Sequence, residues 1–235
     1  MGAVLEMRAR ISIGAALIAL SVVIAGCSST KDKVQADADA APLFQVVKGF
    51  AGIFKKSGSV ADPRKMITRE AIDASPVKVL LAGIETRNAF ATLSPVGENS
   101  GVVSWVTGDR IGLSFKQGVL VSTRGLGQDL MAADVSGSLG ALRAGRGQTI
   151  RIHDYLDGEN QIQRRRFQCD IQTAGREVLS IYGLKIATNH VIESCQNPDY
   201  SFQNHYWISA GSKIWQSRQW IGPTLKYVFV QQLSR

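Results

Sequence analysis

"QIQRRRFQCDIQTA" (residues 161–174) and "EVLSIYGLKIATNHVIESCQ" (177–196) alternate polar and apolar positions and are rich in β-branched and aromatic residues. That period of two is what a strand with one buried face requires. Working outward, the same texture recurs in "VKVLLAGI", "RNAFATLSPV", "GVVSWVT", "RIGLSFKQGVLVST", "GQTIRIHDYL", "SFQNHYWIS", "KIWQSRQWIG" and "LKYVFVQQL". Glycine-bearing turn signals, "TGDR", "KQG", "LDGEN", "TAGRE" and "SAGSK", punctuate the runs. About ten strands in succession, without a ten-residue helical pattern between them, predict a mainly β fold. The expected form is an antiparallel sandwich or barrel-like sheet with one or two short N-terminal helices. "GLGQDLMAADVSGSL" (125–139) interrupts the strands and reads as a short helix and loop between two sets.

Two stretches share a local pattern: Trp105 to Ile111 and Trp207 to Ile214 each run from tryptophan through a small hydroxyl residue and a glycine turn to a basic residue and isoleucine. They predict two tight hairpins whose indoles pack on the sheet. Upstream, residues 62–74 read as a helical piece with Asp62 as cap and Pro63 at its first position. "APLFQVVKGFAGIFKK" (41–56) places Leu43, Phe44, Val47, Phe50, Ala51 and Phe54 near helical spacing. This amphipathic helix either packs on the domain or lies at a bilayer surface.

The N-terminus has a different logic. "MRARISIGAALIALSVVIAGC" (7–27) sets two arginines before an apolar run that ends in small residues, in the order of a signal peptide. The run is shorter than the roughly 20 apolar residues of a spanning helix. Glu6 ahead of the arginines suits that order poorly, which leaves Met1 or Met7 as the start. "IAGC" (24–27) resembles the bacterial lipobox, so Cys27 is the expected lipidation site, with palmitate-type acyl chains as the anchor. The expected organisation is a leader over 1–26, a lipidated tether over 27–41 and one mainly β domain over 42–235. The tether, "SSTKDKVQADADA" after Cys27, is too polar to fold alone.

With Cys27 taken by lipid, Cys169 and Cys195 remain as an even pair in a compartment where disulfides persist. A loop of about 26 residues makes such a bridge worth roughly 3.5 kcal/mol in the chain-entropy model. A meander using the turn signals "TAGRE" and "YGLK" would bring the two onto neighbouring or next-neighbouring strands. Neither has a second cysteine or a histidine at zinc-ligand spacing, so no metal is expected.

The formal net charge is +8. For an exported lipoprotein this points away from nucleic acid and towards anionic headgroups, acidic polysaccharide or an acidic protein surface, or serves solubility alone. No G-x-S-x-G elbow is present, and His153-Asp154 would point to opposite faces of a strand. His190 and His205 have no metal spacing. Asp109, Asp129, Asp134, Asp154, Asp157 and Glu193 could supply paired carboxylates for glycoside chemistry, but most sit where capping is the ordinary role. No catalytic residue and no cofactor are expected. Arg164, Arg165, Arg166, Trp215, Arg218 and Trp220 are the candidate glycan-binding residues, because aromatic faces stack on sugars and arginine pairs with uronate or phosphate.

"VVSWVTGDRIGLSFKQGVLVSTRGLGQDL" (102–130) and "NHYWISAGSKIWQSRQWIGPTL" (204–225), behind a lipobox, resemble the YjbF/GfcB family of Gram-negative lipoproteins. The resemblance implies a mainly β outer-membrane lipoprotein facing the periplasm, associated with group 4 capsule and exopolysaccharide production. It implies partners among the export proteins of the envelope, including an outer-membrane β-barrel, and carries over no catalytic residues. The expectation is a non-enzymatic accessory in assembly and export. The alternatives are a periplasmic receptor for acidic polysaccharide and, less favoured, a polysaccharide-modifying enzyme.

Overall fold

The computed structural model describes residues 62–235. The leader, Cys27, the tether and the amphipathic stretch at 41–56 lie outside the described residues. Two short helices come first, α1 (Pro63–Met66) and α2 (Arg69–Asp73). Asp62 caps α1 through the Arg64 amide at 3.0 Å, with Pro63 at the first helical position, as its sequence predicts. The expected single helical piece is interrupted at Ile67 and Thr68, where Thr68 caps α2.

Twelve strands follow: β1 (Leu80–Ile84), β2 (Ala89–Asn99), β3 (Val102–Val106), β4 (Gly112–Lys116), β5 (Val119–Arg124) and β6 (Ala132–Asp134). After α3 (Ser136–Ala144) come β7 (Arg146–Leu156), β8 (Ile162–Ile181), β9 (Leu184–Gln196), β10 (Ser201–Ile208), β11 (Ile214–Gly222) and β12 (Lys226–Gln232). All pair antiparallel in one sheet, ordered β5-β4-β3-β2-β1-β12-β11-β10-β9-β8-β7-β6. The final strand therefore sits between β11 and β1.

The sheet curls until its edges nearly meet. The Thr123 amide on β5 donates to Leu130 O at 2.8 Å, and the next residue, Met131, donates its amide to Asp154 O on β7 at 2.9 Å. Inside, Gln219 of β11 reaches across to β5, accepting from the Leu120 amide at 2.8 Å and donating to Gly118 O at 3.0 Å. An edge strand's free backbone groups are thereby satisfied by a side chain from the opposite wall. A nearly closed barrel-like sheet is thus the form taken of the two expected.

Alternate residues fill the interior. Leu80, Ala82 and Ile84 of β1 join Trp105, Phe115, Phe167, Phe202 and Trp220 in the main core. The other face of β1 is also buried: Leu81 meets Ile72 of α2, Leu179, Ile181, Ile186 and Leu233. Arg69 ties this outer core together by donating to Tyr182 O, Ile181 O and Leu233 O at 3.0–3.1 Å. Opposite Phe90, Gly83 is required, because a Cβ there would lie 2.3 Å from the ring. Among the described residues no helix is long and apolar enough to cross a membrane.

One turn assignment is corrected. "TAGRE" makes no turn; it lies within β8, where Gly175 sits at a register shift against β9. A glycine in a strand permits a bulge as readily as a reversal. The chain reverses at Tyr182 and Gly183, with φ of 46° and 82°, the signature of a two-residue hairpin turn. Cys169 and Cys195 are consequently directly opposite on β8 and β9 of one hairpin and form a disulfide, with α-carbons 4.0 Å apart. The two tryptophan hairpins do share a turn. Thr107 N bonds Ile111 O at 2.9 Å and Ser209 N bonds Lys213 O at 3.0 Å, with Arg110 and Ser212 at φ of 68° and 60°.

Candidate functional site

β7 turns Arg151, His153 and Tyr155 inward, β9 contributes Glu193, and β10 contributes Asn204 and Tyr206. Arg151, His153, Glu193, Asn204 and Tyr206 are all at most 1% exposed. Arg151 Nη1 lies 2.7 Å from Glu193 Oε2. The same carboxylate accepts from Ser138 Oγ of α3 at 2.6 Å, Asn204 Nδ2 at 2.9 Å and the Tyr206 hydroxyl at 3.0 Å. Burial opposes ionisation of Glu193, but Arg151 and these three donors outweigh it and hold the carboxyl below its usual range. Burial pushes the Tyr206 hydroxyl well up, and the adjacent carboxylate adds to the effect.

The hydrogen bonds set the state of His153. Arg151 Nε can only donate, so His153 Nε2 accepts at 3.3 Å. Nδ1 then carries the proton and donates to the Tyr155 oxygen at 3.0 Å, while the Tyr155 hydroxyl donates to Ile221 O at 2.8 Å. Burial first, then the charges of Arg151 and Arg165, depress the imidazole well below 6.5. The unfolded chain therefore binds a proton below pH 6.5 that the folded chain refuses, and stability falls as pH drops through that window. The expected slope is up to about 1.4 kcal/mol per pH unit. His205, also depressed, by burial and then by His190, contributes with the same sign. His153→Gln keeps an acceptor and a donor in place, and urea unfolding at a series of pH values should show a flatter acid limb.

Closed off from solvent, this network ties β7, β9, β10 and α3 together. Cys169, Cys195 and Glu193 bring ligand atoms within 4.8 Å of one another, but the sulfurs are joined and offer no thiolate. The remaining acids mostly cap: Asp129 accepts from the Gly125 and Leu126 amides, Asp134 from Ser136, and Asp157 from Glu159 and Gln161. Asp109 accepts from Thr107 Oγ1. Asp154 points outward, opposite in sense to His153 as expected, and pairs with Arg164.

The six candidate glycan-binding residues do not form one surface. Trp220 is a core residue, 4% exposed and stacked 4.4 Å from Phe202, because a register shift beside it turns consecutive residues inward. Trp215 packs on the outer core beneath Lys213, whose Nζ is 3.7 Å from the ring. Arg164 and Arg218 are exposed or half-exposed, and each holds a carboxylate in a two-bond clasp, Asp154 and Glu85 respectively. Arg218 also lies 3.3 Å above Tyr227. Arg166 is exposed. Arg165 turns inward, opposite His153, with its guanidinium over Tyr155 and Tyr200 at 5.0 and 4.6 Å.

Two surface concavities adjoin these arginines. A groove of about 790 Å³ crosses the outer face of β7–β10 and reaches β12, lined by the amides Gln148, Gln168 and Gln203 with Asp170, Arg218 and Tyr227. The second, about 500 Å³, lies at the end of the β7–β8 hairpin, beside Arg165.

In sequence, residues 41–233 match the family model for the group 4 capsule polysaccharide lipoprotein gfcB, YjbF. In structure, the chain resembles the hypothetical lipoprotein YmcC from Escherichia coli (K12), with TM-score 0.65 at 20% identity over 77% of this chain and 98% of that one. At that identity the likeness speaks for the fold. A Bacteroides fragilis protein with a YmcC-like fold aligns at TM-score 0.28 and 8% identity, over 67% of this chain and 93% of its own, and carries no argument. No curated protein sequence matches the chain. The twelve-stranded sheet and the match across its whole length agree, and the chain belongs to the YjbF family of group 4 capsule polysaccharide lipoproteins.

Proposed function

We propose that the protein is a lipid-anchored, non-enzymatic accessory in the assembly and export of capsule or exopolysaccharide. It acts at the outer membrane, faces the periplasm and works beside an outer-membrane β-barrel. The family match over 41–233 carries this reading, and Cys27 stands ahead of that match at the end of a leader-like run. An acyl anchor suits the role, since each buried methylene contributes about 0.8 kcal/mol and two or more chains hold where one holds marginally. The test is export itself: cells lacking the chain should lose surface polymer, and only the anchored form should restore it.

Cys27→Ser should remove the one thiol at the cut. The variant is expected to keep its leader and gain no acyl mass by intact-protein mass spectrometry. An unchanged mass difference and membrane partition would overturn the lipoprotein anchor at this residue. Ser28, resembling the residues that permit onward sorting, supports the outer membrane as the destination, which fractionation checks.

A second reading, direct contact with the polymer, is favoured by the amide-lined groove. Glutamine side chains offer both donors and acceptors to sugar hydroxyls, and Tyr227 supplies a ring.

A further inference from the structure

Arg165 stands apart from the other cations of β8. Its Nη1 is buried without a hydrogen-bond partner among the described residues, and the ion pairs found among them leave it out. A half-buried guanidinium without a counter-charge is an unfavourable arrangement for a protein to keep. The ring of Tyr155 fixes the guanidinium from one side and that of Tyr200 from another. Tyr155 is itself held by His153 and Ile221 O, so the buried network ends directly beneath this cation.

Arg165 lies in the wall of the 500 Å³ pocket, with Gln128, Asn160 and Thr224 among its other polar walls. The two acids at the pocket are already occupied. Asp129 accepts from Thr123 Oγ1 and two backbone amides, and Asp157 accepts from two amides and Gln163 Nε2. The pocket thus presents a cation outside any ion pair, among amide and hydroxyl groups and two carboxylates whose oxygens are engaged by other donors. We propose that it binds an anionic sugar residue, whose carboxylate or phosphate pairs with Arg165 while amide and hydroxyl side chains meet the ring hydroxyls. Guanidinium recognises either oxyanion through parallel N–H donors, and a cation pre-positioned by stacking loses little freedom on binding.

The inference deepens the polymer-contact reading and rests on it. Isothermal titration of the full-length chain in detergent micelles would use oligogalacturonate, the same oligomer after carboxyl reduction, and glucose 6-phosphate. Saturable binding is expected for an acidic ligand, and whichever of the two binds more tightly identifies the anion. Arg165→Gln should weaken binding at least tenfold, and Arg165→Lys should recover part of it. Gln128→Trp, at an exposed position that leaves Arg165 untouched, should block the pocket and carries the test if Arg165→Gln fails to fold. Arg166→Gln, on the outer face, should bind like the parent. Absence of saturable binding by the parent, equal binding of the carboxyl-reduced oligomer, or an equal loss in Arg166→Gln would overturn the proposal. A chain that binds no acidic sugar yet is required for export removes the pocket and leaves the export role standing; a chain that binds but is dispensable does the reverse.

Discussion

Glu193→Ala is expected to destabilise the fold by about 3–5 kcal/mol, the cost of leaving one half of a buried ion pair without the other. Arg151, 1% exposed, would keep its charge with its nearest counter-ion gone. Ser138, Asn204 and Tyr206 would each lose an acceptor in the same step. A paired apolar replacement, Glu193→Leu with Arg151→Met, separates the two contributions. It removes the stranded charge but still leaves the Ser138 hydroxyl and the Asn204 amide short of a partner, so it should recover only part of the loss. Urea unfolding read at the midpoint decides the matter, and a loss below about 1 kcal/mol for Glu193→Ala would show that the pair contributes little.

Cys169→Ala with Cys195→Ala should cost a similar amount, about 3–4 kcal/mol. With the cysteines 26 positions apart, releasing the crosslink returns roughly 3.5 kcal/mol of conformational freedom to the unfolded chain in the loop-entropy model. Both positions are buried, at 4% and 2% exposure, so the lost sulfur packing adds to this. Unfolding of the parent with and without reductant, beside the double variant, should give the highest midpoint for the oxidised parent, a lower one for the reduced parent and the lowest for the double variant, which also lacks the sulfurs. Glu193 has its carboxylate within 4.8 Å of both sulfurs, so combining the changes should fall short of the sum. An unchanged midpoint on full reduction would mean that the hairpin is held by its ladder alone.

The strands were legible because most follow a period of two, and the disulfide because the lipobox-like stretch sets Cys27 apart from the other two cysteines. The polar network was not legible, for a physical reason visible in β7. There Ile150 and Ile152 face outward and are only half-buried, while Arg151 and His153 face the interior. A reader who assigns the apolar set to the core places that strand the wrong way round. Glu193 was grouped with capping acids for the same reason: its burial depends on Arg151, more than forty positions away, and only pairing across the sheet reveals it. Trp220 misled because a register shift puts it, Gln219 and Ile221 all at low exposure, a pattern alternation does not anticipate. Arg165 was distinguished from its two neighbours only by the face it occupies. The choice between sandwich and barrel depended on where β12 lies.

That position has a consequence for how the molecule comes into being. β1 and β11 each have one of their two neighbours supplied by the last seven-residue strand, Lys226–Gln232. A chain delivered N-terminus first must hold β1 and its partners open until its final residues arrive. Pairings this distant in sequence are slow to form. The barrel therefore closes only once Lys226–Gln232 is free to pair, and a truncation that removes only this strand cuts the sheet in its middle, not at its margin.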